Sequence, residues 1–479
     1  MEANNNKKVL STVGKLALLF LLGCVSSYGL PFAITRTVYY SIVLILFLRS
    51  KDHVFWTAFL FILVANPLGL LEYRWFGWIL QLTPTVGITY KAAFGFAFLL
   101  KRKDLIQNAQ YLQYDVFSKY YKVFGLYVVF LMFVGFVYGF SFVQLFSLLD
   151  YLPSLLIIVV LPRMFSQKQM LEFNKLIFLF SILMTAATLV GIISNGALIR
   201  MLTFGQSSAG VIYKDGLIRI TGGIFISLYT MFAGMFYLVK SGNEFKTSYL
   251  WIVVLLAWLF ILSSATRGWM IASTVFLFLS LMYYSVRLSG TGRIFLGFLV
   301  LAFIGYLLLP AAVKENLSLA FDRLETVEAM TEGDLTAEGT ASRFTERGPR
   351  VLSRFDESPV FGFGYSKITY RYYENHVGNH DLLLVGGVLG LLIVWLSVFS
   401  IIAFIFRLEK NGYGKSIFVF GIAIITMMLI HTTSRNMVSF LMPVDSAFLL
   451  ALILSNVNSF SIKTNIKRQE QREWEKREL

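Results

Sequence analysis

Stretches of roughly twenty apolar residues recur along almost the whole chain, joined by short polar connections. A helix of that length crosses about 30 Å of hydrocarbon. Only 14% of the residues are charged, against about 25% in soluble domains. The chain therefore reads as an all-α polytopic membrane protein of about 12–14 transmembrane helices. Residues 1–456 form one membrane domain, and 457–479 form a basic tail. About fourteen spans are expected, starting near Leu10, Ile34, Val54, Pro84, Lys122, Phe142, Leu171, Thr221, Ser248, Gly268, Arg293, Leu382, Ser416 and Phe440. The first run has no clear cleavage site and is read as a span, not a removable signal.

The net charge of +15 would suit nucleic acid, but its placement suits a bilayer. With the N-terminus inside and the spans alternating, every second connection is basic. Lys7, Lys8, Arg49, Lys51, "KRK" at 101–103, Arg163, Lys168, Lys240, Lys246, Arg287, Arg407, Lys410, Lys415 and the tail all fall on one side. Lys and Arg collect on cytoplasmic loops, so both termini are expected in the cytoplasm and no nucleic-acid partner is expected. Cys24 is the single cysteine, which excludes an intramolecular disulfide.

The opposite side carries fewer cations. Arg36, Arg219, Arg267 and Arg435 lie at outer span ends, where such residues commonly reach lipid headgroups. Arg36, Arg200 and Arg435 are left with that reading. Lys91, inside an apolar run, is unusual on cost alone. The longest connection, about 313–379, also faces outward and holds Arg323, Arg343, Arg347, Arg350, Arg354 and Arg371. Its stretch "VKENLSLAFDRLETVEAM" has the spacing of an amphipathic helix at the membrane surface. "MTEGDLTAEGT" reads as a linker. "ASRFTERGPRVLSRFDESPV" resumes a basic helical pattern with Pro349 near a helix start or kink. In "SPVFGFGYS", Gly362 and Gly364 permit close backbone approach.

Four histidines occur in the chain, and two of them, His376 and His380, end this outer connection. On a helix they would share a face. Three roles fit them. They could hold a metal with Glu374 and Asp381, although no third histidine is near. They could be inert interfacial groups. One could be a general base, since histidine titrates near neutral pH.

The surrounding motifs resemble those of the O-antigen polymerase and O-antigen ligase family. His376 stands eleven residues before "GVLG", Gly387 to Gly390. "SSATRGWM" resembles the family's arginine-glycine motif and maps it onto Arg267. "GTASRFTERGPRVLSRFDESPVFGFGYS" resembles its loop motif and maps the arginine onto Arg343. "IRITGGIF" resembles its Arg-x-x-Gly-x-x-Phe motif and maps to Arg219 and Gly222. The resemblance covers roughly residues 210–400. The family usually places Asn after its histidine; here Val377 follows His376, and Asn379 precedes His380.

The resemblance implies a GT-C-like fold with one large, partly helical periplasmic loop, in the bacterial inner membrane. It implies glycosyl transfer from an undecaprenyl-diphosphate-linked glycan, with the lipid bilayer and a chain-length regulator as partners. Arg267, Arg343 and Arg219 would bind the diphosphate, and His376 or His380 would be the catalytic base. The first outer connection, "SSYGLPFAITRTVYY", holds no acid that could seat a divalent cation, so neither metal nor other cofactor is expected. A polymerase is the first reading. A ligase transferring the glycan to lipid A core or another acceptor, and a flippase or transporter for the same lipid-linked sugars, are the alternatives.

Overall fold

Apolar runs become helices wherever lipid or packing removes water from the backbone, and caps decide where they stop. The computed structural model describes residues 2–460 apart from 29–31, 72–77, 84–85, 103–114, 140–151, 206–210, 215, 241, 288–290, 332–342, 375–376, 411–414, 433–439 and 441–443. The first helices are α1 (Glu2–Tyr28), α2 (Phe32–Arg49), α3 (His53–Ala65), α4 (Tyr90–Leu100), α5 (Asp115–Val137) and α6 (Leu152–Val160). Next come α7 (Gln167–Ile193), the short α8 (Ala197–Leu202), α9 (Ile224–Lys240), α10 (Thr247–Ser263), α11 (Arg267–Arg287) and α12 (Thr291–Leu308). The connection after α12 holds α13 (Ala311–Thr331), α14 (Gly348–Leu352) and α15 (Lys367–Tyr372). The chain then returns through α16 (Gly378–Lys410), α17 (Phe418–Thr432) and α18 (Val444–Phe460).

Three of the described helices are long and apolar enough to cross a membrane: Lys7–Tyr28, Gln167–Ile193 and Gly378–Glu409. Six shorter apolar helices accompany them. α3, at 13 residues, is shorter than a straight crossing, and the reason is local. Asn66 ends α3 by turning left-handed at φ 50°, and Leu68 and Gly69 follow at φ 56° and 64°. Asn66 secures this turn by exchanging two side-chain hydrogen bonds with Leu71. The helix expected to start near Pro84 begins at Tyr90, capped by Thr89, and β1 (Trp78–Thr83) and β2 (Val86–Thr89) precede it as an antiparallel hairpin. A second hairpin, β3 (Val211–Lys214) with β4 (Leu217–Ile220), precedes α9. α18 continues to Phe460, past residue 456.

Around the helices a belt of large apolar side chains is exposed. It includes Leu18 and Leu22 on α1, Val38 and Ile42 on α2, Leu126 and Phe133 on α5, Phe278 on α11 and Leu396 and Phe399 on α16. Such a surface suits lipid, not water.

Side-chain contacts sort the helix ends. α3 and α9 are antiparallel: Phe61 packs on Tyr229, and Gly223 N–H donates to Ala65 O (2.9 Å). At the far end of α9, Lys240 pairs with Glu244 and lies over the Phe460 ring at 4.4 Å. Gln167, Lys168 and Phe460 line one small cleft there. Phe236 stacks on Phe420 near the start of α17. Tyr283, late in α11, donates to Glu409 late in α16 (3.3 Å) and packs on Phe418. Lys101 caps the C-terminus of α2 by donating to Phe47 O and Ser50 O. One end of the bundle therefore gathers Arg49, Lys51, Lys101, Arg163, Lys168, Lys240, Lys246, Arg407 and Lys415.

Between the ends, Asn174, Tyr229, Tyr237 and Asn456 form a buried hydrogen-bonded network joining α7, α9 and α18. Arg36 is 4% exposed, so it packs inside the bundle and does not reach outward to headgroups. The side chains of Lys91 and Arg435 lie outside the described residues.

Candidate functional site

The end opposite the lysines is built by close backbone contacts that glycines allow. Gly222 meets the end of α3 so tightly that a Cβ there would fall 2.0 Å from Gly69 N. Leu68 N–H donates to Gly222 O (3.2 Å). This contact plants the β3–β4 hairpin and Arg219 at the start of α9. From α13, Asn316 accepts from Ile218 N–H (2.8 Å) and donates to Ile218 O (3.3 Å). One carboxamide thus holds the strand that carries Arg219. Arg267 opens α11, two residues after Ala265, whose φ is 49°. Trp269 packs edge-on against Phe225, with centroids 5.7 Å apart. Arg219 and Arg267 therefore lie on neighbouring elements at one end, both partly buried.

A second group surrounds the start of α16. This helix breaks at Gly387 (φ 61°, ψ −167°). The break frees backbone groups, and the segment around Gly362 and Gly364 takes them up. Phe363 N–H donates to Leu384 O (2.8 Å), Gly364 N–H to Val385 O (2.9 Å), Val388 N–H to Pro359 O (2.9 Å) and Leu389 N–H to Val360 O (3.1 Å). Tyr127 OH on α5 donates to Gly386 O (2.7 Å). A helix broken within an apolar run needs such replacement partners. A Cβ at Gly387 would lie 2.3 Å from Val360 O, which explains the glycines of "GFG" and "GG". A small apolar cluster of Val351, Phe363, Val377 and Leu384 packs beneath.

On this base sits an open polar cleft of about 430 Å³, lined by Glu346, Arg347, Arg350 and Glu374. Arg347 and Arg350 come from one helical stretch, the wide turn Arg343–Arg347 running into α14, with Pro349 at its first positions. Glu374 faces both arginines at 3.6 Å. Behind it, Asp381 in the first turn of α16 is 6% exposed and accepts from Glu374 N–H (2.9 Å). Arg354 pairs with Glu357 farther out and holds that carboxyl below the usual carboxylate range.

His380 stands beside Asp381, partly buried. Arg343 begins the wide turn; its side chain lies outside the described residues, and so does His376 as a whole. The elements that carry Arg219 and Arg267 are thus neighbours. Separately, the turn that Arg343 begins carries Arg347 of the cleft lining, and His380 adjoins Asp381, which bonds Glu374 of that lining. Among the described residues, no three His, Cys, Asp or Glu side chains are grouped as metal ligands. The pairing of Arg347 and Arg350 on Glu374 was not foreseen. Its one sequence signal is the three-residue spacing of two arginines in a helical stretch. No protein-family model matches the chain, and no curated protein sequence matches it.

Proposed function

We propose that this chain is a membrane glycosyltransferase, an O-antigen polymerase-like enzyme that joins undecaprenyl-diphosphate-linked repeat units on the periplasmic face. The observation carrying this reading is the shared end of the bundle. Arg219, Arg267, the Arg343 turn and His380 all lie away from the lysine-rich end. The positive-inside rule puts that lysine-rich end, with both termini, in the cytoplasm of the inner membrane.

The chemistry suits the residue types. An acceptor-sugar hydroxyl attacks the anomeric carbon of the lipid-linked chain. The bond from that carbon to the diphosphate oxygen breaks, and undecaprenyl diphosphate departs with the electron pair. Arg219, Arg267 and Arg343 would take up the developing charge through planar, permanently charged donors. His376 or His380 would take the hydroxyl proton. The cleft beside the start of α16 is the place where an acceptor sugar would enter, and its volume is within the range of small-molecule sites. The reaction requires no metal, so chelation with EDTA leaves turnover unchanged.

The test is product length on a polysaccharide gel from cells carrying His376→Ala, His380→Ala or Arg267→Ala, with membrane levels matched. Single repeat units on lipid A core are expected from Arg267→Ala and from one histidine variant. Long lipid-linked chains with a bare core would instead mean a ligase. Wild-type product from all three variants would sink the catalytic reading and favour a flippase.

A further inference from the structure

We propose that Asp381 is a positioning residue for the cleft: its side-chain oxygen fastens the Glu374 backbone to the first turn of α16 and keeps the Glu374 side chain seated between Arg347 and Arg350. The activity part of this proposal rests on the reading of the cleft as the acceptor entrance. The geometric part does not.

The magnitudes favour this assignment. Charge-assisted hydrogen bonds that fix a carboxylate run at about 2.7–2.9 Å. Glu374 stands 3.6 Å from each arginine, and both arginine side chains are substantially exposed, at 39% and 55%. Ion pairs that long and that wet hold little. Glu374 is therefore placed from behind, through its backbone. Its N–H donates to Asp381 Oδ1 (2.9 Å), its carbonyl accepts from Val377 N–H (3.3 Å), and Asp381 N–H donates to Val377 O (3.1 Å). These three bonds close a ring between the connection and the helix. Tyr373 N–H, donating to Thr369 O (2.8 Å), ties the other side to α15. A polar side chain 6% exposed is tolerated when a hydrogen bond satisfies it. Here that bond also sets the register of the connection.

The role depends on an acceptor atom at one place, not on charge. Asparagine at 381 keeps an oxygen there, alanine removes it, and glutamate moves it outward by one carbon. The experiment uses the full-length protein in detergent and in cells. Amide hydrogen exchange at Glu374 should rise more than tenfold in Asp381→Ala and stay within about threefold of wild type in Asp381→Asn. On the polysaccharide gel, Asp381→Ala and Asp381→Glu should give shortened product, and Asp381→Asn near-normal product, at equal membrane levels. Unchanged Glu374 exchange in Asp381→Ala would overturn the proposal. So would loss of product in Asp381→Asn, because charge would then be the requirement. Wild-type product from Asp381→Ala, while Arg267→Ala gives only single repeat units, would overturn the link to activity. If Asp381→Ala does not accumulate, Asp381→Asn and Asp381→Glu still decide the point. If Arg267 and both histidine variants are also fully active, the functional reading fails, while the exchange result still tests the anchor.

Discussion

Gly387 has a backbone conformation, φ 61° and ψ −167°, that is essentially closed to any other residue. A side chain there would also strike Val360 O. Gly387→Ala is expected to cost at least about 1–3 kcal/mol, read as a lower melting temperature in detergent. Gly297 on α12 is the control, since a Cβ there meets nothing within 4 Å. Gly297→Ala should be neutral or stabilising by up to about 1 kcal/mol. Equal losses in both variants would show that α16 is not broken as described. Tyr127→Phe removes the hydroxyl that donates to Gly386 O, and should cost about 0.5–1.5 kcal/mol. Both Gly362 and Gly364 were legible in the sequence as sites of close approach. Their partner was not, because it lies on α16, beyond the outer connection they belong to.

At the scale of elements, polar side chains join helices that apolar packing alone would leave free to slide. Lipid tails are as apolar as leucine, so hydrophobic burial gives little preference between helix registers. The Asn174–Asn456 bond, 3.0 Å between α7 and α18, supplies one. A double-mutant cycle of Asn174→Ala and Asn456→Ala should show a coupling of about 0.6–1.7 kcal/mol. Zero coupling would remove the network from the account of helix register. Asn316 plays the same part outside the bundle. Asn316→Leu leaves the Ile218 N–H and carbonyl without their side-chain partner, at about 1–3 kcal/mol. It should also reduce polymer formation if Arg219 binds the diphosphate. The helix α13 was evident from the spacing of its apolar residues. Its grip on β4 was not, since an asparagine at a helical position gives no sign of which backbone it will bond.

Across the whole molecule, the lysine-rich end and the arginine-bearing end make a directional prediction. Cysteines at Ser353 and Lys246 should label differently with a membrane-impermeant maleimide in intact cells. Ser353→Cys should react, and Lys246→Cys should react only after lysis. Cys24, 1% exposed, contributes little background. The reverse pattern would overturn the orientation, and with it the periplasmic site. The sequence alone determined that the chain is helical and apolar enough for a membrane, and that its cations segregate to alternate connections. Those properties depend on composition and order along the chain, because the bilayer acts as a uniform solvent and reads them directly. Where helices break, which loop mends the break at Gly387, and which carboxylate stands between Arg347 and Arg350 were decided by the tertiary structure. Those depend on contacts between segments far apart in the chain, and a hydrogen bond or a close backbone approach forms only with the partner that folding brings within about 3 Å.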